Sequence, residues 1–324
     1  MIKNILITGG AGYIGSHIVE LLENKKKNLF IADNLSTGFK KLINKKAKFY
    51  NVDIQNTKKI REIITKNKID SIIHLAASLV IEIGEKNPKK YFKNNVVGTK
   101  SVLKACKDTS VKNFIFSSTA AVYKDGLFKV TESSPVKPKS VYGKTKLIAE
   151  KFIINSCKKN NINYAILRYF NIVGASPSGK IGLINKTDHL FKNLSTQTYK
   201  KKPQYKIYGT NYNTKDGTCI RDFIHVSDIA EIHFKILEKI NKINKSKILN
   251  CGYGKGLSVK EAVYEFKKYA NKNAKIIKLS KRKGDLAKII SVNKNLIKFI
   301  KWKPKFNSLS NMVKSSLKWE KKLI

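Results

Sequence analysis

The sequence predicts an α/β protein: a doubly wound parallel sheet with a smaller, interleaved C-terminal part. Three observations carry this expectation. Strand and helix patterns alternate through about the first 170 residues, and the strand segments are near-continuous apolar runs. A glycine-rich turn also separates the first strand from the first helix. Apolar runs without in–out alternation are what strands covered on both faces require.

Asn4–Thr8 is a β-type run, and residues 12–24 carry helical spacing. Asn28–Asp33 and 48–54 are the next strands. Residues 56–67 follow as a helix, and 71–77 as an apolar strand. A helix over 88–108 leads to a buried strand at 113–118. A further helix spans 142–160, and a strand spans 164–170. Beyond Gly174 the pattern turns irregular, with loops at 176–187 and 208–218. Two helices are expected there, one after Ser227 as N-cap and one after Ser258 with Glu261 at capping-box spacing. No repeat or linker composition intervenes, so a first unit, 1–174, and a second, 175–324, are expected to pack together, with later segments returning to the first.

The 324-residue chain carries 66 Lys plus Arg against 22 Asp plus Glu, a net charge of +44. Only Arg61, Arg168, Arg221 and Arg282 are arginines, so 62 of those cations are lysines. Such a charge first suggests nucleic acid, because clustered cations release counterions from phosphates. Here the clusters are short and dispersed, and arginine, the preferred base reader, is scarce. Lys, Asn and Ile share A/T-rich codons, so composition accounts for the charge and no nucleic-acid partner is expected. No apolar run reaches membrane-span length, and the opening residues are too short for a signal peptide. Cys106, Cys157, Cys219 and Cys251 lack metal or disulfide spacing and read as reduced, cytoplasmic thiols. No metal site is expected.

The turn Thr8-Gly9-Gly10-Ala11-Gly12-Tyr13-Ile14-Gly15 has glycines at 9, 12 and 15. Residues without Cβ let backbone approach a pyrophosphate, and the helix start that follows supplies amide donors and a favourable dipole. The next strand ends in Asp33, 18 residues after Gly15, where a carboxylate binds ribose hydroxyls and repels a 2′-phosphate. NAD is therefore expected over NADP, on a Rossmann-type fold. Asp53, ending another strand, is either an adenine ligand or a strand-end cap.

Tyr142-Gly143-Lys144-Thr145-Lys146 is a Y-x-x-x-K sequence, which places both side chains on one helix face. A free phenol titrates near 10, and a nearby ammonium and the positive nicotinamide ring both favour its ionised, basic form. In a chain with 14 Tyr and so much Lys, about two or three matches arise by chance. Tyr264…Lys268 is one, read as structural because no hydroxyl-bearing strand end precedes it. Phe116-Ser117-Ser118-Thr119 does precede Tyr142, and strand ends face the ligand crevice. Thr119 is expected to bridge substrate and Tyr142, or else to cap a loop.

Gly9 to Gly15, His74-Leu75-Ala76-Ala77, Asn94-Asn95-Val96-Val97-Gly98-Thr99, Ser117-Ser118-Thr119 and Tyr142/Lys146 resemble the extended short-chain dehydrogenase/reductase family. Arg168 to Ala175, Asp216 to Val226, Asn250 to Gly256 and Arg282-Lys283-Gly284-Asp285 look like its UDP-glucose 4-epimerase branch, a resemblance running from residue 3 to about 319. It implies a Rossmann domain holding NAD over 1–174 and a UDP-sugar domain over 175–324. By this likeness Tyr142, Lys146 and Thr119 are catalytic. Gly9, Gly12, Tyr13, Ile14, Gly15, Asp33, Asn34, Asp53, Ile54, Ala76, Asn95 and Phe170 join Tyr142 and Lys146 around the cofactor. Asn171, His189, Leu190, Tyr208, Arg221, Arg282 and Asp285 join Thr119 around UDP-glucose or UDP-galactose. The two would interconvert by oxidation at C4, rotation of the 4-keto sugar and hydride return.

Arg suits pyrophosphate because its planar fork bonds two oxygens at once. Arg168 is left as a core salt bridge. The resemblance also implies a homodimer through the helices at 88–108 and 142–160. Departures from the pattern are Lys124 after Tyr123 and Ser78-Leu79-Val80-Ile81-Glu82 in place of a lysine-bearing segment. Asp188-His189-Leu190 stands near the uridine position, and Ile289 stands at the N-acetyl gate. A dehydratase would need an acid and a base where Ala120-Ala121 stand.

Overall fold

The computed structural model describes residues 2–185, 189–270, 273–282 and 285–324. Asp188, Lys283 and Gly284 of the motifs above lie outside them. Strand β1 (Asn4–Thr8) sends Ile5 and Ile7 into one core layer and Leu6 into the other, and all three are fully buried. After the glycine turn come α1 (Tyr13–Glu23), β2 (Asn28–Asp33), β3 (Lys48–Asn51), α2 (Thr57–Lys66), β4 (Ser71–His74) and α3 (Ile81–Lys86). The helix expected over 88–108 is α4 (Pro88–Phe92) and α5 (Gly98–Cys106), joined by a π-helical turn at Lys93–Val97. Then follow β5 (Asn113–Thr119), β6 (Lys129–Val130), α6 (Val141–Lys159), β7 (Asn163–Tyr169) and β8 (Asn171–Val173).

The second half contributes α7 (Leu190–Thr198), β9 (Gln204–Tyr208), β10 (Ile220–Arg221), β11 (Phe223–His225), α8 (Val226–Ile243) and β12 (Lys247–Cys251). After these come β13 (Leu257–Ser258), α9 (Val259–Lys267), β14 (Lys275–Leu279), β15 (Lys288–Ser291), α10 (Lys294–Ile300) and α11 (Leu309–Glu320). The α9 capping box is present, Ser258 Oγ accepting from Glu261 N and Glu261 Oε2 accepting from Ser258 N. The cap expected at Ser227 is instead His225. Its buried ring Nδ1 accepts from the Ser227 amide, so the helix starts at Val226, directly after β11.

Among the described residues, seven parallel strands form one sheet in the order β3-β2-β1-β4-β5-β7-β12. The order reverses between β1 and β4, and ligands of such sheets bind beyond the strand carboxyl ends at that switch point. One layer packs Ile60, Val102 and Ile153 of α2, α5 and α6 against Leu6, Phe114 and Ile166. The other packs Ile18, Ile236 and Leu296 of α1, α8 and α10 against Ile5, Ile7 and Ile115. The seventh strand, β12, comes from beyond residue 174. In return, β6 joins the β13-β10-β15 sheet and β8 pairs with β11. The second half has its own core, including Phe191, Tyr205, Phe266 and Val313.

No described helix is long and apolar enough to cross a membrane. The four cysteines are buried and unbridged, and no described cluster of side chains could hold a metal.

Candidate active site

The glycine turn lies at the switch point. Gly9 has φ +73°, and a Cβ there would stand 2.7 Å from the Ala76 amide nitrogen, so only glycine fits against the end of β4. A Cβ on Gly15 would stand 2.4 Å from the Gly9 carbonyl, so the absent side chain lets α1 dock on the turn. Gly12 caps α1 with no side-chain acceptor, leaving the helix amides to meet an anion. Asp33 Oδ2 accepts from Ala11 N at 3.0 Å and Oδ1 from Leu35 N at 2.8 Å. Burial raises its carboxyl, while those two amides oppose the shift. The turn therefore fits a dinucleotide: a side-chain-free cradle, a helix start and a strand-end carboxylate.

Other expected cofactor residues take defined places. The strand expected over 48–54 stops at Asn51, and Asp53 lies in the turn to α2, its Oδ1 accepting from Gln55 N and its Oδ2 from Asn34 Nδ2; Ile54 beside it is buried. Tyr13 OH donates to the Gly174 carbonyl at 2.6 Å and ties α1 to the end of the first unit, while Ile14 packs on the core. Asn95, in the π turn, is engaged at both ends of its amide. Oδ1 accepts from Ser78 N, and Nδ2 donates to Ser78 O and Thr145 Oγ1. Asn95 thereby couples the loop after β4 to α6.

β5 and α6 bring the three candidate catalytic residues together. Ser140 Oγ caps α6 by accepting from Gly143 N, and Gly143 is needed because a Cβ would meet the Ala121 carbonyl at 2.4 Å. The first turn of the helix then sets Tyr142 close enough to Thr119 for that hydroxyl to oppose the rise of its phenol. Thr119 Oγ1 also accepts from Ala121 N, so it caps the strand end. Lys146 is 1% exposed; its Nζ donates to the Ser117 carbonyl at 2.7 Å and lies 4.5 Å from the Phe116 ring centre.

Burial pulls Lys146 down to about 7, opposed by Glu150. Burial pushes the Tyr142 phenol up to about 12. Lys146 is not among the groups that shift the phenol in the protein alone, where burial dominates and the Thr119 hydroxyl opposes it. His74, between Thr8 and Thr99, is pulled down to about 3 by burial and by Lys146, and stays neutral.

The expected substrate residues gather from distant segments. Asn171 lies exposed on β8, its amide donating to Asp222 O, and Phe170 packs against Ala120 and Tyr123 beside Ile289. The Arg282 guanidinium sits 3.8 Å over the Tyr208 ring centre. Arg221 donates to Leu286 O at 2.6 Å and stands 3.6 Å from Asp285 Oδ1. The His189 Nε2–H donates to the Ile172 carbonyl at 2.6 Å, and Leu190 packs into the second core. Both are turned into the protein.

Arg168 forms the core bridge, with Glu150, and Tyr264 is 49% exposed. Sequence reasoning passed over Glu150, whose only signal was its place one helical turn after Lys146.

Sheet order and glycine turn define a Rossmann-type dinucleotide fold with a Tyr/Lys site at its switch point. The chain belongs to the NAD dependent epimerase/dehydratase family, whose model matches residues 5–252. It is 36% identical over 321 residues to the UDP-glucose 4-epimerase of Lactobacillus helveticus, covering 98% of this chain and 97% of that one. The UDP-glucose 4-epimerase of Bifidobacterium longum, solved with NAD+ and UDP, superposes with a TM-score of 0.90 at 30% identity, over 99% and 98% of the two chains. The UDP-Glc/GlcNAc 4-epimerase of Campylobacter jejuni gives 0.86 at 36% identity, over 99% of each chain.

Proposed function

We propose that the chain is an NAD-dependent isomerase that interconverts UDP-glucose and UDP-galactose. The observation that carries this reading is the gathering of Thr119, Tyr142 and Lys146 at the end of β5, with Lys146 acting on the His74 that bonds Thr8 before the glycine turn. NAD, when bound, supplies the acceptor and donor for the hexose C4 hydride. The α1 amides and Asp33 hold its pyrophosphate and adenosine ribose, and the Asp33 carboxylate excludes a 2′-phosphate.

Tyr142 takes the C4 hydroxyl proton and later returns it, with Thr119 bridging the two oxygens. A phenol near 12 serves as a base only when positive charge faces it, and the Lys146 ammonium is the protein's share of that charge. Arg221 and Arg282 clamp the UDP, Tyr208 lies against the uracil, and Asn171 and Asp285 complete the grip. The 4-keto sugar turns over on this tether before hydride returns to its other face.

Purified protein incubated with UDP-galactose is expected to form UDP-glucose, and Tyr142→Phe to abolish it. No interconversion by the wild type would refute the proposal. Dual acceptance of N-acetylated UDP-hexoses is the second reading. Ile289 at the gate and the Campylobacter relative favour testing it with UDP-N-acetylgalactosamine. Leu79, Ile81, Ile83, Phe92 and Val97, exposed along α3 to the π turn, support a homodimer, which light scattering would measure. Buried thiols support a cytoplasmic location.

A further inference from the structure

Behind the Tyr/Lys pair lies a buried charged group that the reaction above does not use. Glu150 stands one helical turn past Lys146 and is 2% exposed. Arg168 of β7 holds it in a fork, Nε to Oε1 at 3.0 Å and Nη2 to Oε2 at 2.7 Å. Ser118 Oγ also donates to Oε1 in a short hydrogen bond. Arg168 is fixed in turn, its Nη1 donating to Tyr123 OH at 3.1 Å and Glu132 O at 3.3 Å. Tyr123 OH donates to Asn250 Oδ1 at 2.6 Å, so the network ends on β12.

For stability alone this arrangement is a poor choice. Two buried charges lose hydration, and a well-packed apolar pair of similar volume often matches or exceeds them. What apolar side chains cannot do is fix the strand end and supply charge. We infer that Glu150 is a positioning residue of the active site. Locked by Arg168, it clamps Ser118, so the end of β5 presents the Ser117 carbonyl to Lys146 and the Thr119 hydroxyl to Tyr142. It also sets a carboxylate one helical turn from the Lys146 ammonium.

The other titratable groups facing Lys146 do not replace that charge. His74 of β4 is neutral, Tyr142 is a phenol, and Arg168 is paired with Glu150 itself. Losing the Glu150 charge therefore lowers the ammonium fraction, because its attraction opposes the burial of Lys146. The inference rests on the proposed reaction for its kinetic consequence, while its electrostatic consequence can be read without turnover.

The test compares wild type, Glu150→Gln and Ser118→Ala. Glu150→Gln keeps one oxygen to accept from Arg168 Nε and Ser118, and removes the charge together with the acceptor facing Arg168 Nη2. NMR titration of lysine 13Cε-labelled protein, with the Lys146 signal assigned by its loss in Lys146→Met, gives the midpoint in each protein without a reagent having to reach the buried amine. The expected fall in Glu150→Gln is about one pH unit. At pH 8, kcat for UDP-galactose falls about tenfold while KM stays within about twofold. An unmoved midpoint, or equal loss of kcat and folded fraction at every pH, would overturn the charge role.

Ser118→Ala leaves the ion pair intact, so it tests the clamp even where Glu150→Gln fails to fold. Its expected result is an unmoved midpoint with kcat lowered about fivefold, and an unchanged kcat would overturn the clamp. A wild type that never epimerises but shows the shifted midpoint in Glu150→Gln would refute the proposed reaction and keep the electrostatic role.

Discussion

Tyr142/Lys146 on α6 and Tyr264/Lys268 at the end of α9 share one spacing, yet their surroundings differ at every point that matters. On α6, Lys146 is buried against β5 with the Ser117 carbonyl as its acceptor and is pulled down to about 7. On α9, Tyr264 is half exposed, and Lys268 pairs with Glu265 at 2.6 Å in solvent, which pushes its titration up. The buried face of α9 is Ala262, Val263 and Phe266, a plain apolar contact with the second core. Spacing puts two side chains on one face; the strand end against that face decides whether they can do chemistry.

The comparison breaks most sharply at the two tyrosines. Tyr142→Phe removes the proton acceptor and is expected to lower kcat about 10³-fold, whereas Tyr264→Phe stays within about twofold. Assays of UDP-galactose conversion check both, and a comparable loss in Tyr264→Phe would end the distinction. The charges behind each pair give the next effect. Arg168→Met leaves Glu150 buried and unpaired and is expected to cost about 3 kcal/mol by denaturant unfolding. Glu265→Gln, which removes the partner of an exposed lysine, is expected to leave the unfolding midpoint unmoved.

Much of this contrast was open to sequence reasoning and part of it was not. The hydroxyl-bearing strand end before Tyr142 was visible as Ser117-Ser118-Thr119, whereas the Ser258 that ends β13 before Tyr264 is taken up by the α9 cap. The sheet was legible for the same reason, since β1, β2 and β5 are short apolar runs between helical patterns. Partners set by tertiary pairing were hidden. β12 joins the sheet through β7, about 80 residues away, and Arg282 finds Tyr208 across 74. Local spacing carries no record of such contacts. The α8 cap fell to His225 because β11 runs directly into the helix and leaves its imidazole at the first free amide. Asn95 read as a cofactor contact; its bonds to Ser78 and Thr145 depend on a π turn that no apolar period announces.

The two lysines also separate by pH. Lys146 is held near 7 against an ordinary 10.5. Below pH 7 it is protonated in folded and unfolded chains alike, and the native state bears the full burial cost. Between about 7 and 10.5 the unfolded chain binds more protons, so stability rises with pH as that cost is relieved. Lys146→Met is therefore expected to lower kcat about 10²-fold while raising the melting temperature at pH 6. The gain shrinks by pH 9.5, a window set by the same two values. Melting curves at both pH values check the sign, and a larger gain at pH 9.5 would reverse it. Lys268→Met is expected to change neither kcat nor melting.

A third pairing of tyrosine with cation sharpens the comparison from the substrate side. The Arg282 guanidinium covers the Tyr208 ring face, where the attraction is to the ring quadrupole rather than to the hydroxyl. Such a pair shapes a binding surface and leaves the phenol's proton alone, so its loss belongs in KM. Arg282→Ala is expected to raise KM for UDP-galactose about tenfold, with kcat within about twofold. A fall in kcat at unchanged KM would place Arg282 with the reacting atoms instead. The intermediate case, both constants unmoved, would make the stack structural, like Tyr264 on α9, and leave the UDP clamp to Arg221.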